Sequence, residues 1–166
     1  MSRAILPRLV TLVAASTVAL GCGAYSTTSE PAMADLVGRW RIRPSSAADL
    51  KRLYPPLDAP AASIELAADG TIAFAGVPSI LVDEMDPTQR RLVDRKGTWT
   101  LEQSGGAWHV ATSIPNDRGG FRGAVSVWNE KRPYWLSLNC DDPDLWNFIF
   151  FDRDGDAPDT QQPSGK

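Results

Sequence analysis

Histidine and cysteine are almost missing from this chain. His109 is the only histidine, and Cys22 and Cys140 are the only cysteines in 166 residues. One histidine cannot supply the three protein ligands of a catalytic zinc or a pair of proton-transfer groups. His109 also alternates out of phase with Trp108, Val110 and Ile114, which places it on an outward face. No G-x-S-x-G elbow occurs, and Ser126 lies inside an alternating run instead of at a strand-to-helix turn. Basic charge is also scarce: 17 Lys and Arg face 20 Asp and Glu, a net charge of −3. Nucleic-acid binding needs clustered cations, so that partner class is excluded. The N-terminal apolar stretch, Leu9 to Leu20, is far shorter than the roughly 20 residues of a spanning helix.

What this stretch does have is the three-zone form of a secretory signal. Arg3 and Arg8 are followed by the apolar run and then by the small residue Gly21. Its ending, Val18-Ala19-Leu20-Gly21-Cys22, resembles the lipobox of bacterial lipoproteins. That resemblance implies cleavage after Gly21, a diacylglycerol on the Cys22 sulfur, and residence on the extracytoplasmic side of the cell envelope. The site is the outer membrane or the outer leaflet of the cytoplasmic membrane. Acylation of Cys22 leaves Cys140 without an intramolecular partner; a Cys22–Cys140 disulfide is the competing arrangement. Loss of residues 1–21, which carry two Arg and no acid, takes the net charge from −3 to −5. The lipid, not an acidic surface, is then what holds the protein to anionic headgroups.

Residues 22–34 are polar and aperiodic and are expected to form a tether after the lipidated cysteine. A single β-domain is expected over 35–152, with a disordered tail over 153–166. Leu36, Gly38, Trp40 and Ile42 alternate with Val37, Arg39 and Arg41 as a half-buried strand does. Residues 44–54 are the helix candidate, with Ser46 and Asp49 spaced as a capping box and Pro55-Pro56 as a stop. Ala62, Ile64 and Leu66 pair with Ile72 and Phe74 across an Asp69-Gly70 turn. Residues 77–95 break the rhythm and read as a long connection. Four more alternating runs follow, led by Gly97-Thr98-Trp99, Trp108 to Ile114, Phe121 to Val127 and Tyr134 to Cys140. An aromatic run, 145–151, closes the series. Eight short strands joined by turns make an all-β antiparallel meander, enough to close a small barrel.

Gly38-Arg39-Trp40 resembles the G-x-W of the first strand in the lipocalin superfamily, whose Trp packs across one end of the barrel. Gly97-Thr98-Trp99 repeats it. The whole chain is similar to small uncharacterised bacterial lipoproteins with a lipocalin-like domain. Their shared features are the G-x-W start, an ADG hairpin, a G-T-W strand and a D-P-D loop before a last aromatic strand. The resemblance implies a lipocalin-like β-barrel.

Two acidic clusters fit solvated turns better than calcium sites. Asp152, Asp154 and Asp156 have the spacing of EF-hand positions 1, 3 and 5, but Ala157 and Pro163 stand where Gly and Glu are needed. Asp141, Asp142 and Asp144 form the other cluster. No cofactor is expected. The last strands are apolar on both faces, so Trp128, Trp135 and Phe151 are candidates for an outward patch facing a partner, unless residues 46–53 or 80–85 cover them. The expected function is non-enzymatic. It combines anchoring to the membrane through Cys22 with binding of a small apolar ligand or an envelope component. The alternative is an inhibitor or assembly factor that binds a secreted or envelope protein.

Overall fold

The computed structural model describes residues 26–55, 57–82, 91–115, 120–139 and 148–156. Eight strands form a closed antiparallel barrel in chain order: β1 (Gly38–Ile42), β2 (Ser63–Leu66), β3 (Thr71–Pro78), β4 (Leu92–Ser104), β5 (Ala107–Ile114), β6 (Phe121–Trp128), β7 (Trp135–Asn139) and β8 (Phe148–Arg153). β8 returns to pair with β1 through Ile42–Phe151 and Trp40–Arg153, which closes the ring. Closure gives every strand a partner on both sides in the barrel body, while β4 beyond Thr98 pairs with β5 alone.

Register fixes which residues fill the interior, since directly paired residues share a face. Trp40 pairs with Ile64, Ile64 with Phe74, Trp99 with Thr112, Val110 with Val125, Val127 with Leu136 and Leu136 with Phe151. The apolar members form one continuous buried core, with the buried Thr112 beside Trp99. The interior is packed with side chains, as expected for a barrel of eight strands.

The two G-x-W segments behave alike at the lower end of the barrel. The Trp40 indole donates to the Leu36 carbonyl at 2.9 Å, and the Trp99 indole donates to the Ala67 carbonyl at 3.0 Å. Both rings are buried, and each ties a loop across the barrel end. Gly38 has φ +138°, and a Cβ there would lie 3.1 Å from the Arg153 Nε. The Arg153 guanidinium crosses this gap and donates to the Val37 carbonyl. Gly97 lets β4 and β5 approach: a Cβ there would overlap the Ser113 carbonyl oxygen.

Helix α2 (Pro44–Leu53) starts one residue beyond Arg43, with Pro at its first turn, a position that costs no hydrogen bond. The expected Ser46 cap does not form. Ser46 Oγ instead accepts the Phe150 amide at 3.0 Å, joining the helix to β8. Leu50 is buried beneath α2 and Leu53 is half-buried. The connection expected over 77–95 is shorter than that. β3 continues to Pro78, a 3-10 turn covers Ser79–Leu81, and β4 already begins at Leu92. A bulge after Phe74 makes this extension possible, with Asp94 Oδ1 accepting the Gly76 amide at 2.8 Å.

The segment expected as a free tether is partly structural. Ser26 bridges to Trp128, the Thr27 amide donates to the Val127 carbonyl at 3.0 Å, and the Trp108 amide donates to the Thr27 carbonyl at 3.0 Å. Residues 26–27 thus fill the seam where β5 and β6 diverge. Glu130 clamps the next two residues, accepting the Thr28 amide and hydroxyl, each at 2.9 Å, and the Ser29 amide at 3.3 Å. These bonds hold its carboxyl below the usual glutamate range. A short helical turn, α1 (Met33–Leu36), then leads into β1. At the other terminus the sheet continues through Arg153 and a turn over 154–156 follows, so residues 153–156, expected in the tail, belong to the fold.

Candidate functional site

Gly21 and Cys22 lie outside the described residues, as do Cys140 and the Asp141, Asp142 and Asp144 cluster. The candidates that can be placed are the aromatic residues of the last strands, and the structure divides them between two faces. Phe151 is 0 % exposed and points into the barrel, paired with Leu136 on one side and Ile42 on the other. It cannot face a partner. In β8 it is Ile149 and Phe151 that face inward, while Phe148 and Phe150 face out. A strand that is apolar on both sides has an alternation but no label saying which phase is the core, and its neighbours decide.

Trp128 and Trp135 do lie on the outer face, opposite each other across β6 and β7. They are nevertheless only 7 % and 4 % exposed. The Trp128 ring meets Phe148 and Phe150 edge-on, at centroid distances of 5.4 and 5.7 Å. Its Nε1 donates to Ser137 Oγ at 2.7 Å. Trp135 is roofed by Arg43, whose guanidinium carbon sits 4.3 Å above the ring. Arg43 is held there by Asp152, whose Oδ1 is 2.8 Å from Nε and 2.6 Å from Nη2. The outer aromatic row is therefore covered by groups of the same chain, and it offers no free apolar patch at Trp128, Trp135 or Phe151.

The EF-hand-like acids have the same explanation. Asp152 faces Arg43, Asp154 faces Arg41, and Asp156 lies 3.5 Å from Arg132. Each carboxylate is turned to an arginine: Arg41 of β1, Arg43 at the start of α2 and Arg132 in the connection between β6 and β7. His109 pairs with Ser126 on the outer face, as its phase requires.

A concave site lies among the described residues at the upper end, and no pattern in the sequence marked it. It is a recess of about 140 Å³ under the 3-10 turn, where Ile80, Leu81 and Val82 fold over the ends of β6 and β7. Phe74, Phe121 and Leu138 supply further apolar wall, and none of the lining residues is charged. Gly123 gives the Phe121 ring its place, since a Cβ there would be 2.5 Å from that ring. Two polar residues, Thr112 and Asn139, border the recess, but Asn139 pairs with the outward-facing Phe148, so its side chain lies on the outer face of β7. Thr112 Oγ1 donates to the Gly123 carbonyl at 3.1 Å. Asn139 Oδ1 is shut off from solvent and has no hydrogen-bond partner. The volume is similar to that of cavities that take a benzene ring and below the roughly 300 Å³ at which drug-sized pockets begin.

Among the described residues, no group of three His, Cys, Asp or Glu is placed to hold a metal ion. No protein-family model, no curated protein and no solved structure matches this chain.

Proposed function

We propose that this chain is a lipid-anchored protein of the bacterial cell envelope, held through Cys22, whose barrel binds a small apolar ligand without chemical conversion. The observation that carries the binding reading is the uncharged recess beneath Leu81 and Val82 at the upper end of a barrel otherwise filled by its own side chains. A recess of about 140 Å³ suits a single ring or a short branched chain. A fatty acyl chain would need the interior that Trp40, Phe74, Trp99 and Phe151 occupy.

The anchoring reading rests on the Val18-Ala19-Leu20-Gly21-Cys22 ending. Expression of the full chain and of Cys22→Ser in a bacterial host separates the two parts of the proposal. Wild type partitions with membranes and its N-terminal peptide carries acyl chains, whereas Cys22→Ser is recovered in the aqueous fraction. Native mass spectrometry of the domain lacking residues 1–22 tests binding, with a bound small molecule as the expected result. Filling of the interior favours a second reading, in which the barrel is a rigid support for recognising a secreted or envelope protein. A stoichiometric protein partner with an empty recess would establish that reading over the first.

A further inference from the structure

We infer that a ligand reaches the upper recess through the barrel wall, by a split between β6 and β7, and that the Phe121 ring is the gate of that passage. This rests on the small-ligand reading above and adds the route and the residue that controls it.

Four observations carry it. The first is the ladder. β5 and β6 pair as far up as Ile114 with Phe121, and β7 and β8 as far up as Asn139 with Phe148. Between β6 and β7 the topmost pair is Ser126 with Ser137. The same register would next set Val125 opposite Leu138 and Ala124 opposite Asn139, and among the described residues neither pair forms. The two strands therefore part above Ser126 and Ser137. The second is the lining: Gly123 and Ala124 on one side of the split, and Leu138 and Asn139 on the other, all border the recess. Gly123 and Leu138 have the inward phase, paired with the buried Thr112 and Ile149, whereas Ala124 and Asn139 have the outward phase. Successive residues of a strand face opposite sides of the sheet. A hollow bordered by both phases of two neighbouring strands lies in the wall between them as well as inside it. The third is exposure. Ala124 is exposed and Gly123 and Asn139 are half-buried, while Phe74, Leu81 and Val82 across the recess are buried. The recess is thus open on the side of the split. The fourth is Phe121 itself. Its ring lies back along β6 over Gly123, where a Cβ would stand 2.5 Å from it, and it is half-buried, between the hollow and solvent. A phenyl ring held by packing can swing to another χ1 rotamer without breaking a hydrogen bond.

The test staples the split. In the full-length protein carrying Cys22→Ser and Cys140→Ser, the pair Ala124→Cys and Asn139→Cys sets the only two cysteines across it, so one molecule is read both oxidised and reduced. Fluorobenzene is the probe, and its exchange is followed by fluorine line shapes and by the methyl resonances of Leu81, Val82 and Leu138. Oxidation should slow association and release alike, by about tenfold or more, with Kd unchanged, because a gate alters the barrier and not the two end states. Phe121→Ala should speed both rates. Unchanged rates in the oxidised protein overturn the lateral route, and so does a weaker Kd without slower release; either result leaves the small-ligand reading standing. Unchanged rates in Phe121→Ala remove Phe121 as the gate. If fluorobenzene moves no methyl of the wild-type barrel up to its solubility limit, the small-ligand reading falls and the route falls with it. Should the cysteine pair fail to oxidise or to fold, Ala124→Trp makes the same comparison with the same deciding outcomes, since residue 124 lies on the exposed outer face at the mouth of the split.

Discussion

Replacing Trp40 by Phe tests the account of the lower barrel end most directly. The indole Nε1–H is the donor for the Leu36 carbonyl at 2.9 Å, in a place where neither group reaches water. Phenylalanine keeps an aromatic ring but removes that donor, leaving a buried acceptor unpaired at a cost of about 1–3 kcal/mol. The ring is also smaller by about 40 Å³, and residual cavity volume costs about 24 cal/mol per Å³, which adds about 1 kcal/mol if the site does not collapse. Together Trp40→Phe should lose about 2–4 kcal/mol. For a domain of this size each kilocalorie lowers the melting temperature by about 3–4 °C, so the expected drop is about 6–16 °C. Urea unfolding followed by near-ultraviolet circular dichroism gives the free energy, and a thermal melt gives the second reading. Trp128→Phe is the control, because its indole bonds a hydroxyl that can turn to another partner. A loss below about 1 kcal/mol for Trp40→Phe, or a loss equal to that of the control, would refute the argument.

Gly97→Ala should separate β4 from β5, since the new Cβ would overlap the Ser113 carbonyl; we expect a destabilisation of about 3 kcal/mol or failure to fold, read by urea titration. Arg43→Lys keeps a positive charge but loses both the flat stack on Trp135 and the double contact with Asp152, so a loss of about 1–2 kcal/mol and a rise in Trp135 fluorescence quenching by acrylamide should follow. Glu130 provides a pH dependence. Its folded value lies below the ordinary 4.5, so the clamp's contribution is complete above 4.5 and is lost as pH falls through the lower folded value. Hydrogen-exchange protection of the Thr28 and Ser29 amides should therefore fall in that acid range, and Glu130→Gln should show low protection at neutral pH with no such transition.

The strands of the barrel are readable in the sequence because alternation and turn residues coincide. Asp69-Gly70 and Gly105-Gly106 stand at turns, and Trp108 to Ile114 keeps one phase throughout. Legibility fails where a physical cue is missing or doubled. In β8 both phases are apolar, so the inward role of Phe151 could only come from its partners Leu136 and Ile42. The early start of β4 is hidden by Asp94, Arg95 and Lys96, charges that suit an exposed loop as well as a strand near the barrel rim. Residues 26–29 are held by backbone amides and by a glutamate 101–102 positions away, and neither leaves a periodic signature. The recess was the least visible of all. It depends on the bulge that carries β3 onward to the 3-10 turn, and Asn139 has no motif around it.

The seam between β5 and β6 also sets a mechanical direction. Three residues separate Cys22 from Ser26, so the four Cα–Cα steps span at most about 14 Å when fully extended. A chain held at Cys22 would transmit any pull to the pairing of Ser26 and Thr27 with Trp128, Val127 and Trp108, and from there into the barrel wall. β6 runs from Phe121 beside the recess to Trp128 beside the seam, about 24 Å along the strand. With barrel strands tilted by about 35–45°, the recess stands nearly 2 nm above the point of attachment. Such a short leash leaves the barrel little freedom to tip over, so an anchored molecule would keep its upper end turned to the aqueous side and would meet ligands arriving from there.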